Sequence, residues 1–280
     1  MIGPLMATVI TLTNMWGSLA VDTVGARAVS YVPSGQEEVL ARLQDGSGGI
    51  ALCWPWFAMS GPAGCRRHGV ARYHDFTLVR RDESAQFSEL TLRLVSNDET
   101  RRAFPHDFAL TAVFRLEKTL TVKLVGENTG EDPFCVSEML HPYFRVGSVR
   151  ECRVTGFSGC TYRDAAHPEL GESRVWQGDY AVTEGARIFA FPADGTHAIS
   201  LQDPVLGRTL ALTSCGDIKT VVWSPGETSA RGTNVTSQLA SGEWRTFVCV
   251  ENGTCYADRA YTLAPGERHV LSRTIELLKK

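Results

Sequence analysis

The sequence has no excess of charge of either sign and no long apolar run. Its 280 residues carry 28 Lys and Arg against 31 Asp and Glu, a formal net charge of −3. Such a balance lacks the basic patch that binds a nucleic-acid backbone or an anionic membrane surface. No apolar stretch approaches the roughly 20 residues that a membrane-spanning helix needs. We therefore predict no nucleic-acid partner and no insertion in a membrane.

Two further signals are missing: a basic leader at the start and any CxxC pair. The mildly apolar run Met6–Ile10 is soon interrupted by polar residues and Gly, which favours a cytoplasmic protein. The cysteines are irregularly spaced and are therefore predicted to be buried, unpaired thiols rather than a disulfide framework. They lie at positions 53, 65, 135, 152, 160, 215, 249 and 255.

Helical periodicity is also scarce, whereas apolar and polar residues alternate along much of the chain. In residues 89–94, three leucines alternate with Glu, Thr and Arg, and residues 110–124 repeat the pattern. Alternation with period two indicates half-buried strands. Short helices are predicted only at 36–43 and 169–176. Many short strands without alternating helices predict an all-β fold, a large antiparallel β-sandwich. Because no linker or repeat divides the sequence, we predict a single domain over 1–280.

Three segments interrupt the alternation with ionisable and aromatic residues. They read GGIALCWPWF at 48–57 with HGVAR at 68–72, HPYF at 141–144, and FVCVENG at 247–253. Each places an ionisable group at a strand end or in a loop. Ligand sites commonly combine apolar ring faces with a few placed polar groups, so these segments are consistent with a sugar site.

Ordinary structural roles account for the same residues. His141 could be a partly buried histidine bonded to the backbone, and a carboxylate such as Glu251 at a strand end most often faces solvent. A pocket would instead bury Glu251 and raise its pKa. Arg72 could be a surface cation, and the aromatic run 54–57 could belong to the core. These residues alone predict a β-sandwich that could bind a carbohydrate.

The segments resemble, in order and over nearly the whole chain, those of the hexose-6-phosphate mutarotases (glucose-6-phosphate 1-epimerases) of the galactose-mutarotase-like superfamily. In that family a Gly-Gly-Ile loop precedes Trp-Pro or Phe-Pro and then His-Gly-Phe-Ala-Arg, here GGIALCWPWF and HGVAR. Several blocks in one order are a stronger signal than any one of them. Further similar blocks are 25–27 with 39–40, 104–108, 221–225, 248–251 and 263–267.

The resemblance implies a large sandwich that binds sugar on one face and interconverts α and β anomers without a metal or organic cofactor. Its matching positions imply His141 as general acid and Glu251 as general base in ring opening. These types suit the reaction, because the ring oxygen must gain a proton and the anomeric hydroxyl must lose one. The implied partner is a small-molecule sugar or sugar phosphate. The implied substrate-binding residues are His68, Arg72, Trp54, Tyr143 and Trp223.

Two positions depart from the phosphate-preferring pattern. Ser47 stands where those proteins carry an Arg before Gly-Gly-Ile, and Ala186 stands where they carry the acid of an Asp-Arg pair. Arg66 or Arg67 could reach a phosphate instead, but exposed loop cations are common, so surface charge is the expectation for both. The substrate therefore stays open between a free hexose and a hexose 6-phosphate.

Two other functional classes remain. One is a carbohydrate-binding sandwich that keeps the fold without turnover. The other is a polysaccharide lyase or hydrolase, which would need a second carboxylate or a Tyr/His pair suitably placed in the groove. Hydrolases normally have two facing carboxylates, and only elimination suggests Asp203 or Asp217 as the partner of Glu251. The seven histidines include no close ligand pair apart from His68 and His74, so no metal site is predicted.

Overall fold

Alternating apolar residues build the strands, as the sequence predicts. The structure, a computed structural model, describes residues 8–165, 174–191, 196–229, 239–240, 242–255 and 261–278. In the strand Ser88–Val95, Leu90, Leu92 and Leu94 are buried, whereas Arg93 and Val95 are exposed. The buried faces of such strands meet between two large antiparallel sheets, which confirms the predicted β-sandwich.

The first sheet contains ten strands in the described part of the chain. Both ends of the sequence contribute to it, so strands far apart in the chain lie side by side. In spatial order the strands are β1 (Val9–Asn14), β2 (Gly17–Asp22), β3 (Arg27–Pro33), β4 (Ile50–Cys53), β10 (Met139–Arg145), β19 (Phe247–Gly253), β18 (Lys219–Ser224), β15 (Gly185–Ala190), β12 (Thr161–Asp164) and β13 (Arg174–Val175).

The second sheet contains nine strands in the same described residues, and a separate two-stranded sheet pairs β20 (Tyr261–Leu263) with β9 (Phe134–Val136). Neighbouring strands of the nine-stranded sheet are antiparallel throughout. In spatial order they are β14 (Tyr180–Ala181), β11 (Arg153–Thr155), β16 (Thr196–Asp203), β17 (Arg208–Cys215), β21 (Arg268–Leu278), β8 (Leu120–Asn128), β7 (Phe108–Leu116), β6 (Ser88–Val95) and β5 (Thr77–Glu83).

Helices are short and lie where the sequence did not predict them. In the described residues they are α1 (Asp98–Ala103), α2 (Gly226–Ser229) and two 3₁₀ turns, Ala71–Tyr73 and Glu243–Thr246. The side chain of Asn97 accepts hydrogen bonds from the backbone of Glu99 and Thr100 and so caps α1. None of the described helices has the length and apolar character to cross a membrane.

The predicted helix at 36–43 is wrong. Its backbone is extended against β3 and β10: the Val39 N–H donates to the Tyr31 carbonyl, and the Ala41 N–H donates to that of Tyr143. Strand-like hydrogen bonds to buried partners override the helix propensity of this segment. Of the other predicted helix, residues 169–173 lie outside the described residues, and Arg174–Val175 forms a strand.

The prediction of buried thiols holds for most cysteines but not for all. All eight are unpaired with one another, as predicted. Cys135 and Cys215 are exposed because they occupy outward positions of β9 and β17. Cys65 is half-buried.

Candidate active site

A cleft of about 370 Å³ opens on the face of the ten-stranded sheet that points away from the other sheet. The inward face is marked by Asn252, whose Oδ1 accepts a hydrogen bond from Nε of Arg273 on β21. Since side chains alternate along a strand, the neighbouring Glu251 points to the opposite face. The cleft brings together six of the seven predicted site residues: His68, Arg72, His141, Tyr143, Trp223 and Glu251.

The central pair comes from two adjacent strands. Leu140 of β10 pairs with Asn252 of β19, so the next residues, His141 and Glu251, are cross-strand neighbours on the cleft face. Nε2 of His141 lies 3.4 Å from Oε2 of Glu251. The two side chains are almost entirely buried. Nδ1 of His141 and Oε2 of Glu251 have no hydrogen-bond partner among the described residues, so the pair retains unused polar atoms at the bottom of the cleft.

Burial shifts both members of this pair towards their neutral forms. It raises the pKa of Glu251 to about 8, against the opposing effect of the Arg72 and Arg67 cations. It lowers the pKa of His141 well below its usual value, and Arg72 and Arg67 lower it further. The contact is therefore a neutral pair near pH 7, with its one proton on Glu251. The sequence-based roles, with His141 as the acid, require this proton to move across the pair.

His68 enters the cleft from a tight turn after β4. Its φ of 65° is left-handed, which is uncommon for a residue with a side chain and frequent at functional sites. Gly69 has a φ of 81°, and a Cβ there would lie 2.0 Å from the carbonyl oxygen of Trp54. This close approach fixes the turn and sets the His68 ring 5.3 Å from that of His141. Burial, with His141, Arg72 and Arg67, lowers the pKa of His68, so its ring is neutral.

Aromatic side chains form the walls of the cleft, but Trp54 is not one of them. Tyr143 stacks on His141 with ring centroids 4.8 Å apart, and Trp223 is half-buried at the cleft surface. Trp54 is fully buried in the core, with its ring centroid 4.5 Å from that of Phe108. Its predicted substrate contact is therefore wrong. Trp54 directly follows the apolar strand β4, and its indole packs in the core with the apolar side chains of that strand. The backbone carbonyl of Trp54 accepts hydrogen bonds from the turn after His68.

Two arginines line the cleft, and the sequence pointed to only one. Arg72 lies there as predicted, and so does Arg67, whose Nε donates to Nε2 of His68 at 2.9 Å. The expected surface charge is correct for Arg66, which is exposed and lies over the ring of Tyr73 at 4.8 Å. It is wrong for Arg67, since the turn directs adjacent arginines to opposite sides. In the sequence, the only indication that Arg67 lines the cleft is its position next to His68.

Both departures from the phosphate-preferring pattern also lie at the cleft. Ser47 donates from its backbone N–H and its hydroxyl to Oδ1 of Asp45, at 2.8 and 2.6 Å. Ala186 is followed by Arg187, whose Nη1 lies 2.7 Å from Oδ1 of Asp164 on the facing strand. An acid–arginine pair therefore exists here, but its acid comes from β12 rather than from the adjacent residue.

Among the described residues, one group of three side chains offers atoms of the types that bind metals. His141, Cys249 and Glu251 are all buried and present such atoms within 4.8 Å of one another. Burial raises the pKa of the Cys249 thiol well above its usual value, so the thiolate that a metal prefers is disfavoured. Metal independence therefore stays a prediction.

The carboxylates suggested for a hydrolase lie elsewhere. Asp203 accepts hydrogen bonds from the backbone of Gly147, Val205 and Leu206, so it stabilises a turn of the nine-stranded sheet. Asp217 is buried 3.3 Å from Nε2 of His197. Neither lines the cleft, so neither can face Glu251 across a bound sugar.

Comparison with known proteins agrees with this geometry. The sequence profile of the aldose 1-epimerase family matches residues 8–275. A protein of Escherichia coli K12 with the provisional name glucose-6-phosphate 1-epimerase is 31% identical over 265 residues, which cover 91% of this chain and 85% of that protein. A similarly named protein of Salmonella typhimurium is 30% identical over 269 residues, with the same coverage.

Solved structures show the same fold. A provisionally named mutarotase from Salmonella typhimurium superposes with a TM-score of 0.85 at 26% identity, covering 98% of this chain and 91% of that one. A galactose mutarotase-like protein from Lactobacillus casei has a TM-score of 0.76 at 18% identity, with 97% and 100% coverage, and shows the fold alone. The chain belongs to the aldose 1-epimerase family and is an isomerase that interconverts the α and β anomers of an aldose.

Proposed function

We propose that His141 and Glu251 are the proton-transferring pair of this epimerase. The observation that carries the proposal is their arrangement: two buried, titratable side chains 3.4 Å apart, with unused polar atoms, at the bottom of a cleft walled by aromatic rings. A sugar ring seated over Tyr143 or Trp223 would present its hemiacetal oxygens to this pair. Buried groups with strongly shifted pKa values in a cleft are typical of acid–base sites.

The pair carries the one proton that ring opening uses. Transfer of this proton from Glu251 to His141 gives an imidazolium and a carboxylate. The imidazolium protonates the ring oxygen while Glu251 removes the proton of the anomeric hydroxyl, and the C1–O5 bond breaks to give the open aldehyde. Rotation about C1–C2 presents the other carbonyl face to the hydroxyl at C5. Ring closure then reverses both proton transfers, so the pair returns to its initial state.

The substrate that we propose is an aldohexose, in particular a hexose 6-phosphate. The provisional names of the relatives from Escherichia coli and Salmonella typhimurium support the phosphate, and so do two arginines in the cleft. Ser47 and Ala186 are the positions that leave a free hexose as the alternative. We further propose that the reaction needs no metal, so that EDTA leaves its rate unchanged. A cytoplasmic location and the lack of a nucleic-acid partner stay predictions.

Glu251→Gln tests the assignment of the pair. The amide keeps the size of the carboxyl but cannot accept a proton, so anomer exchange measured by NMR should slow by about 10²–10⁴-fold. Glu131→Gln, a change of the same type at an exposed position, is the matched control and should exchange normally. Wild-type exchange in Glu251→Gln with an intact fold would refute the assignment. Sugar binding by the wild-type protein without faster exchange would refute turnover itself.

A further inference from the structure

Two guanidinium groups face the cleft without an ion-pair partner in the described part of the chain, those of Arg67 and Arg72. The neighbouring Arg187 differs, because Asp164 neutralises it at 2.7 Å. Unpaired guanidinium groups in a partly buried cleft favour a ligand that carries an anionic group. A phosphate monoester suits them best, since its oxygens match the fork of guanidinium donors.

The acidic side chains of the cleft leave this positive charge in place. Asp45 accepts two hydrogen bonds from Ser47 through Oδ1, which holds its carboxylate in the loop that precedes β4. Glu251 is uncharged below about pH 8, because burial raises its pKa to about 8. Two cations and one carboxylate thus give the cleft a net positive charge near neutrality, which attracts an anionic sugar.

Arg67 lies at the end of a row of cleft side chains that begins at His141. In the proposed reaction His141 protonates the ring oxygen, and that oxygen is bonded to C5, which carries C6. The ring of His68 lies 5.3 Å from that of His141, and Nε of Arg67 lies 2.9 Å from Nε2 of His68. These three side chains therefore form a row that starts where the ring oxygen would bind, and a sugar whose C6 lies along this row presents its 6-phosphate to Arg67.

His68 fixes the direction of the Arg67 side chain. In the tautomer with the ring proton on Nδ1, which lies 3.5 Å from Sγ of Cys53 and 3.2 Å from the backbone N of Ala58, Nε2 of the neutral ring accepts the Nε–H of Arg67. No hydrogen bond in the described residues uses Nη1 or Nη2 of Arg67. The two terminal nitrogens are therefore free to donate together to two oxygens of one phosphate. The left-handed backbone of His68 and the close approach at Gly69 hold this arrangement rigidly.

We propose that Arg67 is the specificity residue for a 6-phosphate, and that His68 acts as a positioning residue that aims it. This inference rests on the proposed function, since it takes anomer exchange and the orientation of the sugar from it. It changes the role predicted for His68 from a direct sugar contact to an acceptor for Arg67. It also explains how phosphate binding can persist with Ser47 before Gly48-Gly49-Ile50.

The test compares Arg67→Met with Arg66→Met for anomer exchange of glucose and of glucose 6-phosphate. Arg66 is the adjacent, exposed arginine, so it controls for loss of a positive charge from the same loop. We expect the preference of Arg67→Met for glucose 6-phosphate over glucose, measured as the ratio of kcat/KM values, to fall by about 10- to 100-fold, mainly through KM. Competitive inhibition by inorganic phosphate should weaken by a similar factor. Arg66→Met should keep the wild-type ratio.

A second pair of variants tests the positioning role of His68. His68→Gln retains an acceptor for Arg67 and should preserve most of the phosphate preference, whereas His68→Met should lose it as Arg67→Met does. Equal losses on both sugars, or the same change in Arg66→Met, would overturn the inference. A wild-type protein that exchanges both sugars equally would overturn it too and leave the proposed function intact. If the wild-type protein accelerates neither sugar, the proposed function itself fails.

Discussion

At the scale of single residues, burial and two arginines decide where the proton of the site resides. Desolvation favours neutral His141 and protonated Glu251, and Arg72 and Arg67 add a further penalty on a charged His141. The arginines act on Glu251 in the opposite sense, but burial outweighs them. The site thus keeps one transferable proton over the neutral range, which suits a reaction that both donates and accepts one.

The protonation state of this pair determines how kcat/KM for anomer exchange should depend on pH. Above about pH 8, Glu251 loses the proton, so kcat/KM should fall about tenfold per pH unit. On the acid side, His141 gains a second proton only well below its usual pKa, so activity should persist below pH 6. The rate should be measured with a free hexose after subtraction of the uncatalysed rate, because a phosphate monoester itself titrates near pH 6. An acid limb at about 6.5, the pKa of an ordinary histidine, would contradict this prediction.

The sequence indicated most of these residues, but through resemblance rather than chemistry. The block HGVAR and the strand end at Glu251 pointed to the cleft, whereas the physical reading alone left each with an ordinary alternative. For Arg67 the sequence left a phosphate contact open but favoured surface charge, because the direction of a loop side chain depends on the turn geometry. Trp54 was misplaced because an aromatic residue beside a site and one in the core look alike in sequence.

At the scale of elements, the strands were predictable and the short helices were not. The alternation over 89–94 arises because every second side chain of a half-buried strand faces the core. This pattern does not depend on which elements the strand packs against, so the sequence alone reveals it. The extended segment 36–43 depends on partners more than a hundred residues away, such as the carbonyl of Tyr143. Helix α1 has six residues and depends on its Asn97 cap rather than on an apolar face, so periodicity could not reveal it.

The turn after His68 supplies a prediction at this scale. Gly64 and Gly69 both have a φ of 81°, but a Cβ at Gly69 would lie 2.0 Å from the Trp54 carbonyl oxygen, whereas nothing lies within 4 Å of one at Gly64. Gly64→Ala should lower the free energy of unfolding by about 1–2 kcal/mol, from backbone strain alone. Gly69→Ala should lower it further and slow anomer exchange by about 10²-fold, since the turn that carries His68 must move.

Urea denaturation and NMR exchange measure the two effects separately. Because the two glycines have the same φ, Gly64→Ala removes the contribution of φ from the comparison. Equal losses of stability in the two variants, with normal exchange in both, would show that the close approach to Trp54 does not hold the turn.

At the scale of the whole molecule, each large sheet combines strands from distant parts of the described sequence. The ten-stranded sheet joins β1 to β4 with β10 and β19, and the nine-stranded sheet joins β5 with β21. The cleft takes His68, His141 and Glu251 from three distant parts of the chain. A single domain over 1–280 stays a prediction, and this shared connectivity is the reason to expect it.

Such a molecule should unfold as one cooperative unit. In urea, tryptophan fluorescence and far-ultraviolet circular dichroism should give coincident transitions, because core and sheets are shared by both ends of the chain. Glucose 6-phosphate at 100 times its Kd should add about 2.7 kcal/mol to the unfolding free energy in both signals, since its site exists only when all three segments are in place. Sodium chloride at equal ionic strength is the control for non-specific salt effects. Two separate transitions, or a sugar phosphate that stabilises only one signal, would indicate independent folding units and contradict the single domain.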